Sequence, residues 1–544
     1  VRAPSCDHEI ELKLMVDPAD LARLAARLGA SPFAFSAPEV LPLESRYFDT
    51  PDLRLAARRV SLRVRRSGER HVQTIKTASV GGAAHTVRGE WECTVAAMAP
   101  ELDRIGDPAA LEALGLVLPE ELAPVFTTRV ERRLMLVEQK LRDGSKAIIE
   151  VAFDRGTIEA DALATGPGAG KAGKKARVEQ IAEVELELKA GAPEGLYLLL
   201  ETLSDWATLR ISTTPKAQRG YLLATGRPPA WQRAEPPALD PAIPAGTAMA
   251  AVLASGLQQL LQNQAAAQDG RDPEGVHQLR IGLRRIRSGL ALFASLLPVD
   301  ERTAWDERLK AVIAATGTPR ELDVLVTETL AEIKAGLPDD PALAVLTATA
   351  EAARRRAYAT LRTYLQSREL AGLVLDLALW TALERWRDDT TEECAAAQST
   401  PVIELAVALL ERRHKRVRRR GRHFARLGDE ERHEVRLALK KLRYGVEFLS
   451  GLFPEKPAKR YAKAAARLQD RLGRLNDQAD TRRLLEELAG SAGPGTDRPA
   501  LERGIGLVIG WQAACVGAER RLAVDDWHDF TAQEPFWQAR DEDR

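Results

Sequence analysis

The stretch His8-Glu9-Ile10-Glu11-Leu12-Lys13-Leu14-Met15-Val16 (HEIELKLMV) alternates charged and apolar residues, the pattern of a β-strand with two unlike faces. Ile10, Leu12 and Leu14 share one face, and Glu9, Glu11 and Lys13 share the other. Two architectures fit. A surface strand turns its charges to water and buries the apolar row. A barrel strand can instead lay its apolar row outward beneath helices and line a wet bore with the charges. For this strand alone the first reading is the better one.

Four more alternating stretches shift the balance: VSLRVRR (Val60 to Arg66), HVQTIK (His71 to Lys76), KAIIEVAFD (Lys146 to Asp154) and AEVELELK (Ala182 to Lys189). Arg63 and Arg65 share a face, as do Glu150 and Asp154, and Glu183, Glu185 and Glu187. Acids gather on some strands and bases on others, while Val60, Leu62, Val64, Val184 and Leu186 supply the opposite faces. So many charges cannot be buried dry, because an unpaired ion loses many kcal/mol of hydration. A bore they line must hold water and countercharges. Carboxylates without His or Cys suit Mg²⁺ or Mn²⁺. Arginine forks and lysine point charges suit phosphate oxygens. Together they describe a metal–polyphosphate site.

Helical patches at Pro18 to Leu28 and Glu194 to Leu203 interrupt the strands, so residues 1–225 read as α+β with a mainly antiparallel sheet. Residues 226–245, GRPPAWQRAEPPALDPAIPA, read as a stiff proline-rich linker. From 246 to 544 alanine, leucine and arginine recur at helical spacing, which predicts an all-α half. GPGAGKAGKKAR (Gly166 to Arg177) has a P-loop flavour, but Ala172 stands where Ser or Thr should follow the lysine. It reads as a basic hairpin loop.

Glu9-x-Glu11-x-Lys13 resembles the E-x-E-x-K signature of the CYTH domain of triphosphate tunnel metalloenzymes. Further stretches match that family in order: YFDTPDLRLAARRVSLRVRR (Tyr47 to Arg66), TIK (Thr74 to Lys76), RGEWE (Arg88 to Glu92), FTTRVERR (Phe126 to Arg133), IIEVAFDRGTI (Ile148 to Ile158), EVELELK (Glu183 to Lys189) and TPKAQRGYLL (Thr214 to Leu223). The resemblance implies a tunnel of eight antiparallel strands that hydrolyses or cyclises triphosphates. It implies Glu9, Glu11, Glu183 and Glu185 as metal ligands, assisted by Asp154 and Glu150. Lys13, Arg63, Arg65, Lys76, Arg132 and Lys216 would grip the phosphates, with Arg129 and Arg133 as rivals for the role of Arg132. Glu9, Glu11, Lys13, Glu183 and Glu185 form the implied catalytic set. The chemistry asks for positioning and charge stabilisation rather than a covalent nucleophile, and no Ser/His/Asp or Cys/His arrangement argues otherwise.

The helical half contains a duplication. VHQLRIGLRRIRSGL (Val276 to Leu290) aligns with RHEVRLALKKLRYGV (Arg432 to Val446), pairing His277 with His433, Arg280 with Arg436, Arg284 with Lys440, Arg285 with Lys441 and Arg287 with Arg443. Pro298 and Pro454 keep the register, as do Gly317 and Gly473. The copies fall at roughly 246–395 and 396–530. In each, the His and basic residues make one helical stripe beside an apolar one. More positive charge follows in RRHKRVRRRGRHFAR (Arg412 to Arg426) and at Lys456, Lys459, Arg460 and Lys463. A single such stripe is usually a solvated face; two in one register favour a ligand. The order resembles the CHAD domain, which implies polyphosphate bound by His277, Arg280, Arg284, Arg287, His433, Arg436, Lys440 and Arg443. The two histidines could equally be packed residues or metal ligands.

The totals exclude little. At 544 residues the chain exceeds one core, and 45% hydrophobic with 29% charged content suits a globular protein. A formal net charge of +0 hides the local clusters. Four scattered cysteines suggest a reducing compartment and no structural zinc. With no secretory signal and no membrane-spanning run, the expected location is the cytoplasm, with association with polyphosphate granules. The expected activity is Mg²⁺- or Mn²⁺-dependent hydrolysis of inorganic triphosphate to pyrophosphate and phosphate, with polyphosphate held by the helical half. An adenylate cyclase or a nucleoside or thiamine triphosphatase is the enzymatic alternative, and a polyphosphate-binding scaffold the non-catalytic one. Without base-reading signatures or interleaved aromatics, no specific nucleic-acid partner is expected.

Overall fold

The structure, a computed structural model, describes residues 7–77, 80–81, 86–161, 177–388 and 390–538. Residues 166–176 of the stretch read as a hairpin loop lie outside the described residues, as does the side chain of Glu9. The chain forms two compact units that interleave along the sequence. The first takes residues 1–231, 261–272 and 367–385; the second takes 232–260, 273–366 and 386–544.

The first unit holds ten strands: β1 (Asp7–Met15), β2 (Glu39–Asp49), β3 (Ser61–Ser67), β4 (Arg70–Lys76), β5 (Val80–Gly81), β6 (Thr86–Val95), β7 (Ala123–Lys140), β8 (Lys146–Ala160), β9 (Arg177–Ala190) and β10 (Arg210–Ser212). Their order is β10-β1-β9-β8-β7-β2-β3-β4-β6-β5, and a further β1–β6 pairing closes the sheet. Eight strands therefore make an antiparallel ring, the number the sequence led one to expect, and the short β5 and β10 attach to β6 and β1. Closure removes the unpaired edges an open sheet would carry.

The question of the first strand is answered by the burial of both faces: Glu11, Lys13, Asp154 and Glu183 are buried within the closed ring. Leu12, Leu14, Leu62, Val64, Ile149, Val151, Val184 and Leu186 are all at 0% exposure, on the face away from the charged rows. Helices α1 (Pro18–Gly29), α2 (Arg54–Ala57), α3 (Pro108–Leu114), α4 (Glu194–Ser204) and α5 (Lys216–Thr225) complete the segment to 225. Asp17 caps α1 by accepting from the Ala19 amide at 3.0 Å, with Pro18 in the first turn. Its Leu21, Leu24, Ala25 and Leu28 are buried at helical spacing, and α1 lies on β8 and β9. Helix α4 buries Leu196, Leu199, Leu200 and Leu203 over β7, β8 and β9. Each such leucine contributes on the order of 2 kcal/mol. This outer apolar layer is what allows the charges to point inward.

Helix α5 goes where strands alone would leave a hole. It packs on β7, β8 and β9, and Ala217, Tyr221, Leu223 and Ala224 join Tyr47, Phe126, Val130, Ile158 and Ile181. Phe126, Ile158 and Ile181 share parity with the inward-facing Arg132, Asp154 and Glu183, so α5 fills one end of the bore. At Gly220 a β-carbon would lie 2.1 Å from the Phe126 ring, and Gly226 (φ 66) ends the helix in the left-handed region.

The second stretch of chain is helical: α6 (Ala245–Asp269), α7 (Glu274–Leu292), α8 (Val299–Ala315), α9 (Gly317–Val324), α10 (Leu330–Gly336), α11 (Pro341–Leu365), α12 (Arg368–Ala382), α13 (Glu392–Ser399), α14 (Val402–Arg420), α15 (Asp429–Leu449), α16 (Glu455–Gly490) and α17 (Arg498–Thr531). Helix α12 belongs to the first unit, against α4 and β10. The duplication appears as α7–α8 and α15–α16, with Pro298 and Pro454 immediately before the second helix of each pair. The copies diverge at the paired glycines: α8 stops before Gly317, whereas α16 runs through Gly473 for 36 residues. Residues of the proline-rich segment lie on the second unit, where the Glu235 carbonyl accepts from Ser255 Oγ at 3.0 Å. No helix among the described residues is long and apolar enough to cross a membrane.

Candidate active site and basic groove

Register builds the inner face of the ring. On β9, Glu183 lies opposite Asp154 of β8, while Glu185 faces Lys13 of β1; Glu187 lies between Glu11 and Glu150. On β7, Arg132 faces Asp154. Oxygens of Asp154, Glu183 and Glu185 all lie within 4.8 Å of one another, an all-carboxylate set that fits a hard divalent cation. Glu11 is one row along and pairs with Lys13. Glu150 stands apart from these three carboxylates, 3.5 Å from Lys189.

Four cations brace the acids. Lys216 Nζ lies 2.6 Å from Asp154 Oδ2 and 3.1 Å from Glu185 Oε1, and contacts Glu183. Arg132 forks onto Asp154, with Nε donating at 2.8 Å and its terminal nitrogen at 2.7 Å, and reaches Glu185 at 2.6 Å. Lys13 Nζ is 3.1 Å from Glu185 Oε1. Arg219 donates to Glu183 at 2.8 Å, to Glu179 at 2.7 Å and to the Gln180 carbonyl at 3.0 Å. Glu11, Asp154, Glu183 and Glu185 thus meet Lys13, Arg132, Lys216 and Arg219, four charges against four. Burial pushes the carboxyls of Asp154 and Glu185 up, but the neighbouring cations outweigh it and hold both below the usual range. The same exchange raises Lys216.

Across the bore, on β3, β4 and β6, the balance differs. Lys76 Nζ lies 2.8 Å from Glu90 Oε2, and Arg63 is 3.7 Å from Glu90 and 4.0 Å from Glu92. Arg65 makes no ion pair among the described residues, and its Nε is buried without a hydrogen-bond partner. Burial, then Arg63 and Arg132, pushes it down to about 10. A guanidinium in that state is relieved by an incoming anion. Tyr47 stacks on Phe126 with centroids 4.4 Å apart. Burial raises its hydroxyl, but Arg63 and Arg65 outweigh this and lower it.

The chain backbone carries Glu9 in β1 opposite Arg88. Of the rivals to Arg132, Arg129 turns outward to Glu159 at 53% exposure, and Arg133 has the same parity. Arg219, Glu90, Glu92 and Tyr47 were not singled out in the sequence. The i, i+3 spacing after Lys216 could have found Arg219, and the alternation of RGEWE the two glutamates; nothing local marks Tyr47.

In the second unit α7 packs on α15, so the two basic stripes converge. A groove of about 810 Å³ lies there, lined by Arg284, Arg287, Lys310, Arg413, Lys440 and Tyr444 among others. Arg284 and Lys440 have no carboxylate partner among the described residues. Burial, followed by Arg284, Arg436, Arg443 and Arg287, pushes Lys440 down to about 7. Other stripe residues are partly spent. Arg280 donates to the Ile313 carbonyl at 2.6 Å and Thr316 Oγ1 at 2.9 Å, capping the C-terminus of α8. Arg287 pairs with Asp306 at 2.7 Å, and Arg443 donates to Gln469 at 3.0 Å. His433 bonds Asn476. Burial and then Arg320 lower His277.

A closed ring with opposed acids and bases inside, followed by a duplicated helical array, defines a two-domain class. Residues 7–221 form a CYTH domain and residues 251–486 a CHAD domain, each matching the family model of that name. The chain is similar to an inorganic triphosphatase of Haemophilus influenzae, 30% identical over 218 residues, which are 40% of this chain and 55% of that protein. The chain therefore spans about half the length of that curated relative. Among solved structures, the CHAD domain of the plant Ricinus communis is 27% identical, with 56% of this chain and 98% of that chain covered and a TM-score of 0.48. A putative adenylyl cyclase from Hippeastrum, described as having a dominant triphosphatase activity, is 18% identical, covering 39% and 95% of the two chains with a TM-score of 0.28.

Proposed function

We propose that the CYTH domain hydrolyses inorganic triphosphate to pyrophosphate and phosphate with the help of Mg²⁺ or Mn²⁺, and that the CHAD domain binds polyphosphate. One observation carries the catalytic part: acids and bases meet inside one bore, with a cluster of three carboxylates on one wall and, on the other, Arg65, which has no ion pair among the described residues. Asp154, Glu183 and Glu185 would hold a divalent cation, with Glu11 and Glu150 at the register of Glu187, one row along, and Glu9 next on β1. Bound there, the ion supplies charge neutralisation and a polarised oxygen.

The protein's own part is positioning. As the triphosphate enters, Lys13, Arg132 and Lys216 exchange carboxylate for phosphate oxygens, while Arg63, Arg65 and Lys76 grip from the opposite wall. Fixed cations in a site of low dielectric stabilise the charge that grows on the departing pyrophosphate more than water does. Water attacks one terminal phosphorus, the bridging P–O bond breaks, and phosphate and pyrophosphate result. The end filled by α5, where Phe126, Ile158 and Ile181 are buried, supports a short substrate.

For the CHAD domain the support is the groove lined by Arg284 and Lys440, which have no carboxylate partner among the described residues, while Asp306 and Glu307 line another part of it. The test is phosphate release by the full chain from triphosphate, ATP and thiamine triphosphate with either metal, with cyclic AMP measured alongside. Release from triphosphate above the others is expected. Cyclic AMP from ATP would replace the reading with a cyclase, and tight binding without turnover would replace it with a scaffold.

A further inference from the structure

The basic groove of the second unit does not end with the duplicated stripes. Three hollows adjoin along α14. Arg413 and Arg416 line the main groove. A second hollow of about 250 Å³ is lined by Arg412, Arg413, Arg416 and Lys441. A third of about 640 Å³ is lined by Arg412, Lys415, Arg416 and Arg419. Arg416 borders all three, so they form one continuous track. Positions 412, 415, 416 and 419 lie on one helical face, and none belongs to either duplicated stripe.

Most of the charge on this face is not spent among the described residues. Among the described residues Arg412, Arg416 and Arg419 have no carboxylate partner. Lys415 pairs at 3.1 Å with Glu411, the acid that lines the third hollow. Glu411 is already engaged by Trp537 Nε1 at 3.0 Å and Gln538 Nε2 at 2.6 Å. The opposite side of α14 is locked: His414 and Val417 are buried, and His414 Nδ1 meets the Tyr461 hydroxyl at 2.8 Å. The basic face is therefore presented rigidly. Like charges at this spacing weaken a helix, and a polyanion lying along them reverses that cost. Among the described residues no aromatic side chain lines the second or third hollow, so bases would find no stacking platform there.

We propose that this face of α14 is an extension site for long polyphosphate. A chain seated between the stripes continues over Arg413 and Arg416 onto Arg412, Lys415 and Arg419, so the domain selects by chain length. The inference rests on the polyphosphate reading of the groove. A long chain reaches the second site intramolecularly and gains the affinity of an effective high concentration; a short one fills the groove alone.

The test uses the full chain with Arg412→Gln, Lys415→Gln and Arg419→Gln combined, none of which lines the main groove. Affinity for chains of about 10 and about 100 phosphates is measured at several salt concentrations. The expected result is a loss of about tenfold for long chains and a log–log salt slope shallower by about 2, from three cations at about 0.7 each. Short chains should bind as before, and circular dichroism should be unchanged. A charge control, Arg355→Gln with Arg356→Gln on exposed parts of α11, should leave both lengths unaffected. Equal losses at both lengths, or none at the longer, overturns the extension while leaving the groove intact. Binding of neither length by the unmodified chain overturns the polyphosphate reading and the extension with it. Loss of single-stranded DNA binding with polyphosphate binding retained makes the face a nucleic-acid site and overturns the proposal.

Discussion

Lys216 stands at the centre of the acidic cluster, in contact with Asp154, Glu183 and Glu185. Replacing it by methionine keeps most of the stem and removes the charge, leaving four carboxylates against three cations. Breaking a buried ionic cluster by deleting one partner costs about 3–5 kcal/mol. Lys13, Arg132 and Arg219 still share the remaining oxygens, so the lower end, about 3 kcal/mol, is expected. For a unit of this size each kcal/mol moves the midpoint by about 2–4 °C, which gives a fall of about 6–12 °C in chelator. A divalent cation at a hundredfold excess over its Kd returns about 2.7 kcal/mol. It should stabilise Lys216→Met more than the parent chain, because the ammonium no longer competes for the same oxygens. Calorimetry of both proteins with EDTA, Mg²⁺ or Mn²⁺ at fixed pH measures this. A fall under about 2 °C, or metal stabilising the parent more than the variant, would refute the reasoning.

Glu185→Gln removes a carboxylate shared by Lys13, Arg132 and Lys216; triphosphate hydrolysis should fall at least about 100-fold, and titration with Mn²⁺ should report weaker binding. Gly220→Ala drives a methyl into the Phe126 ring, so a loss of about 1–3 kcal/mol by chemical denaturation is expected, with lower activity as α5 withdraws Lys216. Lys440, pushed down to about 7, should take up a proton when polyphosphate arrives above that pH. Titration calorimetry in buffers of different ionisation enthalpy should show the uptake in the parent chain and not in Lys440→Met. The linkage sign is fixed: the unfolded lysine binds its proton to about 10.4 and the folded one only to about 7, so this group makes the ligand-free domain more stable as pH rises between the two.

How much of the fold and site was legible in the sequence follows from how local each signal is. Glu9, Glu11 and Lys13, or Glu183 and Glu185, announce a two-faced strand through alternation, and the wall that bears them needs no tertiary knowledge. The direction of the charged face came from the set rather than from any strand, since only opposed acids and bases require a shared interior. Closure through β1 and β6 pairs residues about eighty apart in sequence, with no signal in either. TPKAQRGYLL reads only as a stretch resembling the family, which does not predict the helix it forms. That it fills the bore depends on Phe126 and Tyr47, which lie on other strands. In the CHAD domain Arg280 and Arg284 occupy equal places in one stripe, yet Arg280 is consumed by the end of α8 and Arg284 faces the groove. Spacing along one helix carries no information about where its neighbour stops.

The interleaving of the two units bears on any attempt to dissect the chain. Severing the polypeptide after Trp231 would strip α12, with its buried Leu370, Val374 and Leu377, from α4 and β10 and uncover the greasy surface beneath it. Such a fragment would tend to self-associate. Its inactivity would be a symptom of a missing brace and would say nothing about the carboxylates inside it, so assays belong on the uncut polypeptide.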